Sequence, residues 1–215
     1  GSGTGPADGG GPPDHVLHDT DEGPDPDAVA VAEAGHQRWW AAPLGEAGVQ
    51  WVAALKELSL PFSGMDSKDA ASLAQALGSA HSLTRLDLSN NFIGNGGAAA
   101  LAKKATTLVG DLNLSHNYVG HRGGLAVAKL AYHSKALKSL DLGGNLLESG
   151  TGTAFAEVLK RNPALTSLSL SENSLGDAAA GRLGASLAWN TALLTLRLAG
   201  CGAEEGALHA VATGL

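Results

Sequence analysis

Residues 165–176 read LTSLSLSENSLG, and this phrase decides the architecture of the chain. Large apolar residues return at short, uneven intervals at Leu165, Leu168 and Leu170, and Asn173 follows three residues after the last of them. Alternation of apolar and polar residues indicates a short strand with one buried face. The phrase therefore predicts a strand that ends just before a fixed polar position.

The phrase recurs at a nearly constant period. LTRLDLSNNFIG carries Asn91, VGDLNLSHNYVG carries Asn117 and LKSLDLGGNLLE carries Asn145. The same position is Ser63 in LKELSLPFSGMD and Cys201 in LLTLRLAGCGAE, and successive steps from 63 to 201 are 28, 26, 28, 28 and 28 residues. A period of about 20–29 residues with L-x-x-L-x-L-x-x-N/C is the pattern of the leucine-rich repeat. Parallel strands are predicted near 58–60, 86–88, 112–114, 140–142, 168–170 and 196–198.

The second half of each unit has the spacing of a helix. Ten and fourteen residues after the Asn position stand two largely apolar columns, and a spacing of four places both on one helical face. The first column reads Leu73, Leu101, Val127, Phe155 and Leu183. Seven residues after the Asn position the side chains are mostly small, as at Ala70, Gly124 and Gly152. We expect these small residues to let each helix lie close to the sheet.

The asparagine has a structural explanation. Where each strand turns toward its helix, buried backbone groups lack sheet partners, and an Asn side chain offers both donors and an acceptor. Stacked Asn side chains are expected to satisfy the turns above and below, with weaker groups at the two ends, where one neighbour is missing. The predicted ladder is Ser63, Asn91, Asn117, Asn145, Asn173 and Cys201.

Units of about 28 residues with this phrase resemble the ribonuclease-inhibitor-like class of leucine-rich repeats. The same class supplies the repeat regions of NOD-like receptors, Ran GTPase-activating proteins and many axonemal subunits of cilia. The resemblance covers residues 55–215. It implies an α/β fold: a curved, right-handed solenoid (a horseshoe) with a parallel sheet on the concave face and helices on the convex face.

The chain divides into three parts. Residues 1–27 are rich in Gly, Pro and Asp, which predicts a flexible acidic tail. Residues 28–54 are predicted to form an N-terminal cap, with Val29 and Val31 as a degenerate first strand. Residues 55–215 hold six repeats. Because no polar capping repeat follows, we expect more chain beyond Leu215 or another subunit covering the apolar end at Leu193, Leu196 and Leu198.

Composition and motifs argue against catalysis. A net charge of −7 and a pI near 5.5 give no electrostatic footprint for nucleic acid. No apolar run reaches the ~18 residues of a membrane helix. The glycines at 94–97 do not match a phosphate-binding frame, and Cys201 lacks an evident base. We therefore expect no enzyme activity, cofactor, metal, small-molecule substrate, nucleic-acid binding or membrane insertion.

The remaining candidates are contact residues. Strand positions that face the concave side give a mildly acidic strip at Asp87, Asp111 and Asp141, with Arg197 at its end; a merely solvated sheet is the alternative. Aromatic anchors, which commonly supply binding energy, lie at the edges. Trp189 falls at a helix-to-strand corner where earlier units carry His133 and Arg161, and Tyr118 lies on the opposite, strand-to-helix edge.

Two function classes follow from these features. The first is a non-catalytic architectural or adaptor subunit that binds other protein subunits of a larger axonemal or organellar assembly. The second is a regulatory module, either a small-GTPase regulator or the sensor part of a NOD-like receptor. The single Cys and the absence of disulfide-bearing caps favour an intracellular location. Cytoplasm or cilium is preferred, with a mitochondrion or plastid as the alternative if a transit peptide was removed before Gly1.

Overall fold

The computed structural model describes residues 29–31, 55–78, 82–104 and 109–204. The predicted tail, most of the predicted cap and the helix of the sixth repeat lie outside these residues. Within them, seven three-residue strands form one parallel sheet whose order is the order of the chain. The strands are β1 Val29–Val31, β2 Glu57–Ser59, β3 Arg85–Asp87, β4 Asp111–Asn113, β5 Ser139–Asp141, β6 Ser167–Ser169 and β7 Thr195–Arg197.

Helices alternate with the strands from β2 onward. They are α1 Ser67–Leu77, α2 Gly94–Lys104, α3 His121–His133, α4 Ser149–Arg161 and α5 Gly176–Leu187. Consecutive parallel strands require a crossover, and each crossover from β2 to β7 contains a helix, so each of these five units is a strand, a turn and a helix. The predicted α/β leucine-rich repeat solenoid is thereby confirmed.

The strand register follows the repeat. Leu86 pairs with Leu58 on one side and Leu112 on the other, and the same leucine position continues through Leu140, Leu168 and Leu196. Strands begin one residue earlier than the sequence predicts. The difference is small, because the ladder continues past the strand ends: the Leu60 amide donates to the Asp87 carbonyl at 2.8 Å.

The core lies between the sheet and the helices. The first predicted helical column is buried along its whole described length, and the only bulky aromatic side chain in it is Phe155, with none of its surface exposed. Leucine side chains, together with smaller Val and Ala, fill most of the rest. Such a core exists only through stacking, because each unit buries its apolar face against its neighbours.

The small residues of the helices make room for the neighbouring unit. A Cβ added at Gly124 would lie 2.6 Å from the buried Leu147 Cδ2 and 2.7 Å from Thr151 Cγ2 of the next helix, and one at Gly152 would lie 2.7 Å from Ala179 Cβ. These positions therefore allow neighbouring helices to approach one another. Their role in bringing each helix close to the sheet stays a prediction.

Candidate protein-interaction surfaces

The Asn side chains hold the strand-to-helix turns. Asn145 is the best connected: its Nδ2 donates to the carbonyls of Leu114, Leu142 and Gly143 at 2.9, 2.9 and 3.2 Å. Its Oδ1 accepts from the amides of Asn117 and Val119 at 3.0 and 2.9 Å. A single side chain thus satisfies backbone groups in two units.

The ladder runs in one direction. Each of the four Asn side chains bonds its own turn and the turn of the preceding unit; Asn173, for example, bonds the carbonyl of Leu142 and the amide of Leu147 in that unit. Within the described chain, no hydrogen bond from the side chains of Asn91, Asn117, Asn145 or Asn173 reaches the following unit. The expectation that each Asn satisfies the turns both above and below is therefore wrong.

The two end positions depart from the ladder in different ways. Within the described chain, Ser63 Oγ donates to the Pro61 carbonyl of its own turn at 3.2 Å. Cys201 is buried, and it is the backbone carbonyl, not the thiol, that accepts from the amides of Leu175 and Gly176 at 2.9 and 3.1 Å. The preceding unit, whose turn Cys201 contacts, is present. The lack of a neighbouring unit therefore does not explain why this position holds Cys instead of Asn. The main chain replaces the missing side-chain acceptor.

A second ladder, which the sequence analysis missed, holds the helix-to-strand connections. Asn162 Nδ2 donates to the carbonyls of Ala131 and Ser134 at 2.5 and 2.9 Å, while its Oδ1 accepts from two amides of its own loop. Asn190 repeats the arrangement one unit later, with a bond to the Leu159 carbonyl at 2.6 Å. Ser134 takes the same place in the unit before Asn162, since its Oγ accepts from the Leu137 amide. Ser134, Asn162 and Asn190 stand 28 residues apart, so this second period was visible in the sequence.

The predicted acidic strip is largely occupied by structural bonds. Asp87 Oδ1 accepts from the Ser89 amide at 2.9 Å, and Asp141 Oδ1 accepts from the Gly143 amide at 2.8 Å. Both carboxylates close the turn that follows their strand and are only partly exposed. Asp111 is exposed and lines the same concave depression as Asp87 and Asp141. Arg197 is exposed at the far end of the sheet, in β7.

The helix-to-strand corner carries Trp189, the one tryptophan of the described chain. Trp189 is 76% exposed, and its predicted neighbours in the same column, Arg161 and His133, are exposed as well. In the same unit Leu194 is 83% exposed, at a position that Thr166 occupies one unit earlier. Leu193 and Leu196 are half-buried and Leu198 is buried. The exposed apolar surface of this unit is therefore formed by Trp189 and Leu194, not by the three expected leucines.

The opposite edge carries an apolar surface that sequence reasoning found only in part. Four large apolar side chains there are between 58% and 67% exposed. We call them the edge ridge: Phe62, Phe92, Tyr118 and Leu146. The rings of Phe92 and Tyr118 are stacked, with centroids 5.7 Å apart and planes at 11°. Of these residues only Tyr118 was singled out from the sequence, although Phe92, Tyr118 and Leu146 each directly follow a ladder asparagine and so share one repeat column.

Acidic side chains follow the edge ridge along the same edge. We call Glu148, Glu172, Asp177 and Glu204 the acidic edge segment; all four are exposed. None of them forms an ion pair within the described part of the chain. An ion pair there joins Lys160 to Glu157 on the outer helical surface. The hydrogen bond that Lys160 Nζ donates to Glu157, together with the Lys160 charge, holds the pKa of the Glu157 carboxyl below its usual value.

Within the described residues, no group of three or more His, Cys, Asp or Glu side chains could hold a metal ion, and no helix has the length and apolarity to cross a bilayer.

A family model matches parts of this chain, and two solved structures are similar to it. Residues 79–102 and 161–184 match a family model described as Leucine Rich repeat. A structure titled Leiomodin-1 Actin-Binding Site 2 is similar at 18% identity and a TM-score of 0.49, over 74% of this chain and 78% of that one. The tropomodulin C-terminal domain of Caenorhabditis elegans is similar at 17% identity and a TM-score of 0.48, over 76% and 83%. No curated protein sequence matches the chain. The repeat register, the one-layered parallel sheet and the matched family model agree that this chain is a solenoid of leucine-rich repeats.

Proposed function

We propose that this protein is a non-catalytic protein-interaction module, and that it serves as an architectural or adaptor subunit of a larger assembly. The supporting observation is that the last described unit exposes large apolar side chains where the preceding unit has polar ones. Trp189 and Leu194 are 76% and 83% exposed, in columns that the preceding unit fills with Arg161 and Thr166. Exposed Trp side chains at such positions are typical anchors of protein interfaces.

The loop that presents these two residues is held firmly. Asn190 lies between them, and its Oδ1 accepts from the amides of Ala192 and Leu193 at 2.9 and 2.7 Å. Its Nδ2 reaches back to the Leu159 carbonyl. A fixed loop loses little conformational freedom when a partner binds, so exposed apolar side chains on it favour association.

The test is incorporation into the native assembly. A tagged chain carrying Trp189→Ala should elute mostly as free subunit when native extracts are separated by size, while Asp111→Ala should elute with the assembly like the unmodified chain. Both residues are exposed, so neither change should alter the fold. If Asp111→Ala abolishes association and Trp189→Ala does not, the concave face is the contact surface and the proposal is wrong.

Axonemal or organellar assemblies, in cilium, cytoplasm or organelle, are the settings that we propose for this subunit. The regulatory alternative, control of a small GTPase, requires an arginine that acts on the bound nucleotide from outside. Arg85 and Arg197 are exposed on the concave side. We expect the chain to leave the GTP hydrolysis rate of a panel of small GTPases unchanged. A stimulation that Arg85→Ala or Arg197→Ala removes would favour the regulatory role instead.

A further inference from the structure

We propose that the strand-to-helix edge is a docking surface for an amphipathic helix of a partner protein. Its apolar stripe would lie on the edge ridge, and basic side chains at one of its ends would lie on the acidic edge segment. This inference rests on the proposed role in protein binding and assigns a second contact surface, on the edge opposite Trp189.

The fold itself does not require the side chains of the edge ridge. Phe62 and Tyr118 have left-handed backbone, with φ of 53° and 56°, a conformation that bulky side chains seldom adopt. The residues at the position of Phe62 in later units include Asn90, His116 and Gly144, which are common in left-handed turns. An aromatic side chain that is strained, exposed and outside the core is better explained by contact with a partner.

The spacing of the ridge selects a helix. The ring centroids of Phe92 and Tyr118 are 5.7 Å apart. Asn145 bonds the amides on both sides of Tyr118, which places Leu146 in the unit directly beside it. An α-helix repeats its apolar stripe about every 5.4 Å, whereas side chains on one face of an extended strand are about 6.7 Å apart. A helix therefore stays in register with the ridge over several units, and a strand drifts by about 1 Å at each step.

The charges along this edge indicate where the partner helix carries basic residues. The ridge ends at Leu146, and the acidic edge segment begins two residues later at Glu148 and continues through Glu172 and Asp177 to Glu204. These carboxylates have no cationic partner in the described chain. Asp177 Oδ1 accepts from the Glu204 amide, but no cation neutralises the segment within the described chain. An apolar segment followed by such an acidic one is complementary to a helix whose apolar stripe is followed by Lys or Arg. With a separation of about 5–6 Å per unit, the whole surface fits a helix of roughly 18–20 residues.

The experiment uses randomised 18-residue peptides displayed on phage and selected against the full chain. Enriched sequences should carry apolar residues at i, i+3 or i+4 and i+7, with Lys or Arg gathered at one end. Synthetic peptides of these sequences, measured by fluorescence anisotropy, should bind Phe92→Ser/Tyr118→Asn at least about 10-fold more weakly. Asn is chosen at 118 because it tolerates left-handed backbone. Glu148→Lys/Glu172→Lys should also weaken binding, and should reduce its dependence on salt.

Two control variants locate the site. Tyr118→Phe keeps the ring and should bind within about 2-fold of the unmodified chain, and Trp189→Ser, on the other edge, should bind unchanged. Enrichment of alternating, strand-like sequences, no enrichment, or equal binding to Phe92→Ser/Tyr118→Asn would each overturn the inference. These results do not depend on the native assembly, so they separate failure of this inference from failure of the proposed function. Unfolding midpoints by circular dichroism verify that every variant is folded.

Discussion

Replacing Asn145 by alanine should destabilise the solenoid more than replacing Asn117, although burial alone predicts the opposite order. Asn117 is 0% exposed and Asn145 is 6% exposed. A rule that scales the loss with burial would place the larger cost at Asn117. The hydrogen bonds reverse this order, because more backbone groups depend on Asn145 alone than on Asn117 alone.

Three buried groups depend on Asn145 alone. The amides of Asn117 and Val119 and the carbonyl of Leu114 have no other hydrogen bond within the described chain. The Leu142 carbonyl keeps a bond from Asn173, at 3.0 Å. Alanine at 145 therefore leaves three groups unpaired.

Only one group depends on Asn117 alone. It is the amide of Ile93, and its bond is long, at 3.3 Å. The two carbonyls that Asn117 serves keep other donors, since Leu88 retains Asn91 and Ser115 retains the Asn90 amide. Alanine at 117 therefore leaves a single group unpaired.

The expected magnitudes follow from the cost of an unpaired buried group, about 1–3 kcal/mol, reduced where water can enter. We expect a loss of about 3–4 kcal/mol for Asn145→Ala and about 1–2 kcal/mol for Asn117→Ala. Urea unfolding followed by far-UV circular dichroism measures both. Cys201→Ser serves as the control and should cost far less, because the backbone carbonyl makes the bonds of that unit. Equal losses at 117 and 145, or a larger loss at 117, would refute the assignment of bonds.

Three further changes test other parts of the structure. Asn162→Ala should lower the unfolding free energy by about 2–3 kcal/mol in the same urea titration, because it removes both the donor and the acceptor of a buried loop. Gly152→Ala should cost about 1–3 kcal/mol by overpacking against the next helix, whereas Gly181→Ala, with nothing within 4 Å of the new Cβ, should raise the melting temperature. Phe62→Asn should stabilise the chain by up to about 1 kcal/mol by relieving left-handed backbone strain, and a fall in stability would show that the ring packs on the fold.

The solenoid was predictable because its signals are periodic. Leucines at fixed offsets from Asn91 through Asn173 gave the strands, the register and the buried helical column, since a residue that recurs every 28 positions occupies the same environment in each unit. The second ladder at Asn162 and Asn190 has the same period and could have been found in the same way.

Other features depend on geometry that no periodic pattern carries. The direction of the Asn ladder is set by the slant of the turns, in which Leu146 pairs with Gly120 rather than with the residue one full period earlier. The structural use of Asp87 has only a local signal, an amide two residues later. The edge ridge has a partial signal, because Phe92, Tyr118 and Leu146 each follow a ladder asparagine, but their exposure depends on the packing of neighbouring units.

The one-way ladder makes each unit depend on its successor. Opening the unit that contains Asn173 strips partners from the Leu142 carbonyl and the Leu147 amide in the unit before it. Opening the unit of Cys201 removes main-chain bonds from Leu175 and Gly176, together with the bond from Asn190 Nδ2 to the Leu159 carbonyl. In the strand-to-helix turns, unravelling from the C-terminal side therefore meets its first ladder asparagine at Asn173. In the helix-to-strand loops it meets Asn190 first, and this bond ties the exposed Trp189 corner to the unit before it.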